Sequence, residues 1–202
     1  CQKGRLKKQL DFLLKYNFSI VGSWASIIDK NSEITGYYQF PTRNKDIVNA
    51  MGINNALAHS SVMMRKKDVQ SIGGYSEEFK IAMDWDLWIR AIKHGFKIGN
   101  IAEYLISHRI HDEQTSYNML GIRKQQKEAI IIMHRSVSLI TSKSNYNAYL
   151  GWQYYYKILL FQQSLNRFSS FANKVSSGVG TTIHILFQLI ISCKINKCGS
   201  DI

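Results

Sequence analysis

The chain has 202 residues, of which 45% are hydrophobic and 20% charged, a balance that excludes a disordered or fibrous protein. Its formal net charge of +12 is uneven: residues 1–119 carry 16 basic and 12 acidic groups (+4), and residues 120–202 carry 10 and 2 (+8). The three cysteines are odd in number and lack CxxC spacing, which argues against a disulfide framework or a thiolate zinc site. We therefore expect one globular domain with an appended basic element, in a reducing compartment.

The first sixty-five residues predict a helix followed by strands. Leucines recur at helical spacing over residues 4–16, which predicts an amphipathic helix. The segments 18–28 and 33–40 are strand-like and are separated by a polar cluster, so they predict a hairpin. A short helix over 46–52 and a buried strand over 60–65 follow.

The middle of the chain predicts a further helix and two strands. Apolar residues at i, i+3, i+4 and i+7, followed by Gly95, predict a helix over 84–94. The segments 96–101 and 104–110 are strand-like. After about residue 119 the pattern changes to long helical segments. We therefore predict an α/β domain over residues 1–117 and a basic α-helical tail over residues 118–202.

Two aspartates flank Trp85 at the predicted start of the helix over 84–94. Acidic side chains interact favourably with the positive end of a helix, and this interaction alone would explain why aspartates occur at positions 84 and 86. The alternative is that one of them is a general base beside a cleft. Residues two positions apart lie about 200° apart around a helix, so only one can face a site. Taken alone, these residues favour the structural interpretation.

Histidines and an arginine provide further candidates. His108 and His111 would lie on opposite faces of a strand, whereas Arg109 and His111 would share a face. Arginine binds phosphate oxygens and neutral histidine binds divalent cations, so this pair suits a diphosphate and its metal. The alternative is an ordinary surface loop. His59 precedes two serines, which is a weak hydrolase signal without a placed acid.

Several segments together, in order and spacing, resemble family 2 glycosyltransferases. They are residues 55–65 (NALAHSSVMMR), 73–79 (GGYSEEF) and 82–90 (AMDWDLWIR), and Arg109-Ile110-His111 with Gln114 and Ser116. The opening GRLKKQ and the later IVGS resemble the segment that follows the family's Asp-x-Asp motif. The resemblance covers roughly residues 1–117. Met83 departs from it, because the family usually has glutamate at this position.

The resemblance implies a partial GT-A-like, Rossmann-like fold and sugar transfer with inversion. It identifies Asp84 as the general base that removes the proton of the acceptor hydroxyl. The roles implied for other residues are acceptor binding by His59, Trp85 and Asp86, diphosphate binding by Arg109 and Gln114, and metal binding by His111. The donor would be a nucleotide-sugar, and the acceptor a glycan or lipid-linked molecule of a cell-envelope polysaccharide.

On the same resemblance, the nucleotide-binding strands and the Asp-x-Asp motif would precede Cys1. We therefore expect a carboxy-terminal, acceptor-side part of the enzyme that is inactive alone. The implied cofactor is a divalent cation, Mn²⁺ or Mg²⁺, with most of its ligands in the missing half.

Other functions stay open at this stage. A non-catalytic binding module could use the basic tail to contact a membrane or a partner. The apolar residues of 183–190 and the +8 charge predict binding to an anionic membrane, although an ordinary core helix fits that segment equally well. No segment clearly spans a membrane, so we expect a cytoplasmic protein, peripheral at the inner face of the membrane. Nucleic-acid binding ranks last, because only the pI of 9.6 favours it.

Overall fold

The computed structural model describes residues 1–110 and 119–175, and these residues form a mixed α/β structure. The chain divides into two compact units between Trp152 and Gln153. The helices and strands of the described residues are α1 (Arg5–Lys15), β1 (Ile20–Ile28), β2 (Ile34–Tyr38), α2 (Asn44–Met51), β3 (Met63–Met64), α3 (Lys66–Ser71), α4 (Met83–Lys93), β4 (Ile98–Arg109), α5 (Met119–Ser136) and α6 (Lys143–Val175).

Strand β1 is the centre of a four-stranded sheet. Along one edge it pairs in parallel with β4 over its whole length, from Ile20 opposite Ile98 to Ile28 opposite Arg109. Strands β2 and β3 both pair with it in antiparallel fashion, β2 at its second half and β3 at its first two residues. A central strand is covered on both faces, and this is why β1 is a nearly continuous run of apolar and small residues.

The predicted hairpin and the predicted helix over 84–94 are confirmed by the hairpin β1–β2 and by α4. The two strand-like segments 96–101 and 104–110 are one strand, β4. Its pairing with β1 shifts register on both sides of Trp24, opposite residues 101–106 of β4. A β-bulge of this kind interrupts the alternation of side chains, so one strand looked like two in the sequence.

Helix α1 covers one face of the sheet. Leu13 packs there with Val21 of β1 and with Ile101 and Leu105 of β4, and all four side chains are buried. Burial of such side chains is the main favourable term in the folding of this unit.

A close contact between β1 and β4 holds the segment that leads to the candidate site. Gly22 has no side chain, and a Cβ there would lie 2.3 Å from the Asn100 side-chain oxygen. The buried Asn100 amide therefore fits beside β1 and donates hydrogen bonds to the carbonyls of Pro41 (2.8 Å) and Ala56 (2.9 Å). The bond to Ala56 fixes the chain immediately after Asn55.

The described residues beyond 118 form α5 and α6, and α5 packs against α4 in the first compact unit. The first compact unit thus includes α5 and ends at Trp152, whereas the boundary predicted from the sequence lies at 117/118. The physical reason is a set of polar contacts between α5 and the segment before α4, given below. Neither α5 nor α6, nor any other helix in the described ranges, has the length and apolarity needed to cross a membrane. The apolar segment 183–190 lies outside the described residues.

Candidate active site at the start of helix α4

Asp84 lies in the first turn of α4 with both carboxylate oxygens engaged. Oδ1 accepts a hydrogen bond from the backbone N–H of Trp85 (2.8 Å). Oδ2 accepts one from the side-chain amide of Asn55 (2.8 Å). The side chain is half-buried. A carboxylate can accept about four hydrogen bonds, so this one keeps acceptor positions for a further donor.

Asp86 has a different environment, as the helical spacing predicts. Its side chain is buried, and Oδ2 accepts a hydrogen bond from Arg90 Nε one turn later (2.8 Å). The other guanidinium nitrogens of Arg90 donate to the carbonyls of Ile72 and Gly74, each at 2.7 Å. Asp86 therefore neutralises the arginine that holds the loop over residues 72–74. The buried side chain of Asp86 is not exposed to an acceptor, whereas the resemblance implies that it binds one.

Trp85 is also a core residue in this structure. Its ring is buried and its indole N–H donates to the carbonyl of Met51 at the end of α2 (2.9 Å). A buried indole usually finds such a partner. Trp85 thus joins α2 to α4 beneath the site, whereas the resemblance places it in the lining of the acceptor pocket.

An exposed aromatic pair lies close to Asp84. His59 Nε2 and the Tyr75 hydroxyl are 2.9 Å apart, and their rings meet edge to face with centroids 5.8 Å apart. Burial and, second, the negative charge of Asp84 raise the pKa of the Tyr75 hydroxyl above its ordinary value. The ring of His59 also meets the ring of Trp88, with centroids 6.2 Å apart, and Trp88 lies one turn after Asp84 on α4, so the pair packs against the same end of this helix as the carboxylate.

Tyr75 was missed at the level of sequence. It lies in the GGYSEEF segment of the resemblance, which gave it no role, and directly after Gly73-Gly74, both of which adopt left-handed backbone conformations (φ 83° and 66°). Such a turn favours glycine and aims the next side chain, but sequence alone does not show where it points.

Arg109 lies at the end of β4 and serves the turn between β1 and β2. Its guanidinium donates to the carbonyls of Asp29 and Lys30 and to the Ser32 hydroxyl (2.9 Å). These bonds give it a structural role in the hairpin. The other two residues predicted for the diphosphate and metal, His111 and Gln114, lie outside the described residues.

Across residues 1–110 and 119–175 no three His, Cys, Asp or Glu side chains come close enough to hold a metal ion. The described residues therefore do not by themselves fit the expected Mn²⁺ or Mg²⁺. No chemical step below passes through a metal.

Glu128 of α5 supports the segment that precedes Asp84. Its buried carboxylate accepts three backbone hydrogen bonds, from Lys80 (3.1 Å), Ile81 (2.8 Å) and Ala82 (2.8 Å). Burial alone would raise the pKa of Glu128, but these N–H donors outweigh it and the pKa lies below its ordinary value. A charged residue of α5 thus fixes the start of α4.

Comparison with known proteins relates the chain to glycosyltransferases, although no protein-family model matches it. It is 30% identical over 119 residues to the O-antigen biosynthesis glycosyltransferase WbnJ of Escherichia coli, which covers 58% of this chain and 46% of that protein. It is 26% identical over 160 residues to an uncharacterized glycosyltransferase of Methanocaldococcus jannaschii, covering 78% of this chain and 52% of that one. The chain thus spans about half the length of these curated relatives. Both similarities support a glycosyltransferase function.

Proposed function

We propose that this chain is the acceptor-side part of an inverting, family 2 glycosyltransferase in which Asp84 is the general base. The observation that carries the proposal is the Asp84 carboxylate. It is held at a helix start by Asn55 and a backbone N–H, beside the exposed His59–Tyr75 pair. The similarity to two glycosyltransferases supports the reaction class.

Transfer with inversion is a single displacement. The acceptor oxygen attacks the anomeric carbon, the bond from that carbon to the nucleoside diphosphate breaks, and the hydroxyl proton passes to Asp84. Asn55 orients the carboxylate for this step, because its amide donates to Oδ2 and leaves the remaining lone pairs free to accept the proton. The nucleoside diphosphate leaves with the electron pair of the broken bond.

The partners of this reaction follow from the same proposal. The donor is a nucleotide-sugar, and the acceptor is a glycan or lipid-linked molecule. The O-antigen role in the name of the Escherichia coli relative favours a cell-envelope polysaccharide. The complete enzyme would use Mn²⁺ or Mg²⁺ to neutralise the departing diphosphate, with His111 and Gln114 as proposed contacts. A cytoplasmic enzyme, peripheral at the inner face of the membrane, fits such an acceptor.

The test is the replacement Asp84→Asn in the complete protein, assayed for sugar transfer from a panel of nucleotide-sugars. The amide keeps the shape of the side chain but does not accept a proton, so turnover should fall about 10²–10⁴-fold. Asp68→Asn is a matched control, because Asp68 also lies in the first turn of a helix, α3, and is not one of the residues proposed for the site. Unchanged turnover in Asp84→Asn, with folding intact, would remove Asp84 from the mechanism.

A further inference from the structure

Tyr75 is an exposed aromatic residue at the candidate active site that the proton transfer does not use. Its side chain is 42% exposed although the ring is large and apolar. The hydroxyl contacts His59, and the ring of His59 in turn lies edge-on to the buried Trp88, with centroids 6.2 Å apart. The pair therefore packs against the buried Trp88 on one side and is exposed to solvent on the other.

The loop that carries Tyr75 is held by buried polar groups. Arg90 donates to the carbonyls of Ile72 and Gly74, so it fastens both sides of the turn that ends at Tyr75. Asp86 fixes and neutralises that arginine. A buried ion pair costs desolvation energy and is weak evidence for stability. Here the pair holds the turn before Tyr75, which indicates that its function is to fix the position of the exposed Tyr75 ring.

The chemistry of the pair suits a sugar. Tyrosine combines an apolar face with a polar tip, and binding sites use such rings with a few polar groups that fix orientation. A tyrosine hydroxyl is protonated at neutral pH and can donate a hydrogen bond. Burial and, second, the charge of Asp84 raise the pKa of Tyr75 further. His59 is also exposed and offers a second ring nitrogen.

We propose that Tyr75 is an acceptor-binding residue, whose ring packs on a pyranose of the acceptor while its hydroxyl and His59 bond to a sugar hydroxyl next to the one facing Asp84. This inference rests on the proposed function and gives it a substrate class: an acceptor that ends in a sugar ring. A site for a simple alcohol or a bare phosphate would have no need of the aromatic face.

The experiment compares Tyr75→Ala and Tyr75→Phe in the complete protein. Initial rates are measured with the sugar-terminated acceptor varied, and hydrolysis of the nucleotide-sugar is measured without acceptor. We expect Tyr75→Ala to raise the acceptor KM about 10-fold or more, and Tyr75→Phe, which keeps the ring, to raise it less. The donor KM and the hydrolysis rate should stay unchanged. Tyr37→Ala, at an exposed tyrosine of β2, is the control for loss of a surface ring.

The outcomes separate this inference from the proposed function. An unchanged acceptor KM in Tyr75→Ala would overturn the inference and leave Asp84 as general base. A parallel loss of transfer and donor hydrolysis in Tyr75→Phe, at constant acceptor KM, would also overturn it, because Tyr75 would then act by positioning catalytic groups. Absence of any sugar transfer by the unmodified protein would contradict the proposed function, and this inference with it.

Discussion

Asp84 and Asp86 show how two carboxylates in one helical turn acquire different surroundings. Asp84 is half-buried and bonds to an amide across the site, whereas Asp86 is buried and bonds to a guanidinium. Helical spacing predicted that they would diverge, but it did not identify their partners. The i, i+4 spacing of Asp86 and Arg90 on the predicted helix is compatible with their contact. Asn55, in contrast, carries no signal in the sequence for its contact with Asp84.

Asp86→Asn should destabilise the protein. The amide leaves Arg90 without a neutralising charge in a mostly buried position, so we expect a loss of about 1–3 kcal/mol in the free energy of unfolding. Urea unfolding of the two proteins measures this difference. The control is again Asp68→Asn, which should stay within about 0.5 kcal/mol of the unmodified protein. Equal stabilities of Asp86→Asn and the unmodified protein would contradict the anchoring role of the ion pair.

At the scale of elements, the contact between α5 and the start of α4 is the least predictable feature of the fold. The helix α4 was readable from periodicity because its apolar residues repeat locally. Glu128 binds backbone N–H groups nearly fifty positions earlier in the chain. Every residue except proline has such a group, so no residue type in the sequence marks the contact. A boundary drawn where strands give way to helices therefore separated α5 from the unit it stabilises.

In the candidate site, too, contacts between distant segments could not be predicted from the sequence. The family resemblance marks Asp84 and His59, and their roles stay predictions. Tyr75 belongs to a segment of the same resemblance but was given no role, because its place beside His59 depends on the turn formed by Gly73 and Gly74 and on Arg90. Trp85 was assigned to the acceptor pocket, but an aromatic residue at a helix start can face either the core or a cleft, and here it faces the core.

Replacing Glu128 by glutamine should weaken the attachment of α5. The amide offers one oxygen where the carboxylate offers two, and its NH₂ group faces backbone donors, so we expect a loss of about 2–4 kcal/mol at pH 7. Denaturant unfolding measures it. Glu78→Gln is the control, because Glu78 is an exposed partner of Arg135 on the same two segments and should matter little.

The pH dependence of this effect has a defined sign. Because the pKa of folded Glu128 lies below the ordinary value of 4.5, its contribution is complete above that value and is lost as the pH falls through the folded-state pKa. The stability difference between Glu128→Gln and the unmodified protein should therefore shrink below about pH 4.5. A difference that is constant from pH 7 to pH 3 would contradict the role of the charged carboxylate.

At the scale of the whole molecule, the described residues support an acceptor site better than a donor site. The donors of Arg109 bind the β1–β2 turn, and the described residues contain no cluster of three His, Cys, Asp or Glu side chains that could hold a metal ion. We therefore expect residues 1–202 to bind uridine diphosphate with Mn²⁺ weakly, with a Kd of about 1 mM or higher. Titration calorimetry measures this affinity. The control is the same titration without Mn²⁺, and a micromolar Kd would show that this chain carries its own donor site.

The parallel pairing of β1 with β4 has a consequence for how the protein folds. The chain leaves β1 at Ile28 and enters β4 only at Ile98, and the hairpin strand β2, the segment with Asn55 and the whole of α4 lie between. Closing so long a connection costs chain entropy before the pairing returns any stabilisation. Both sides of the candidate site lie within this connection, and Asn100 of β4 binds the carbonyl of Ala56, next to Asn55. We therefore expect the site to reach its final geometry only after β4 has paired with β1.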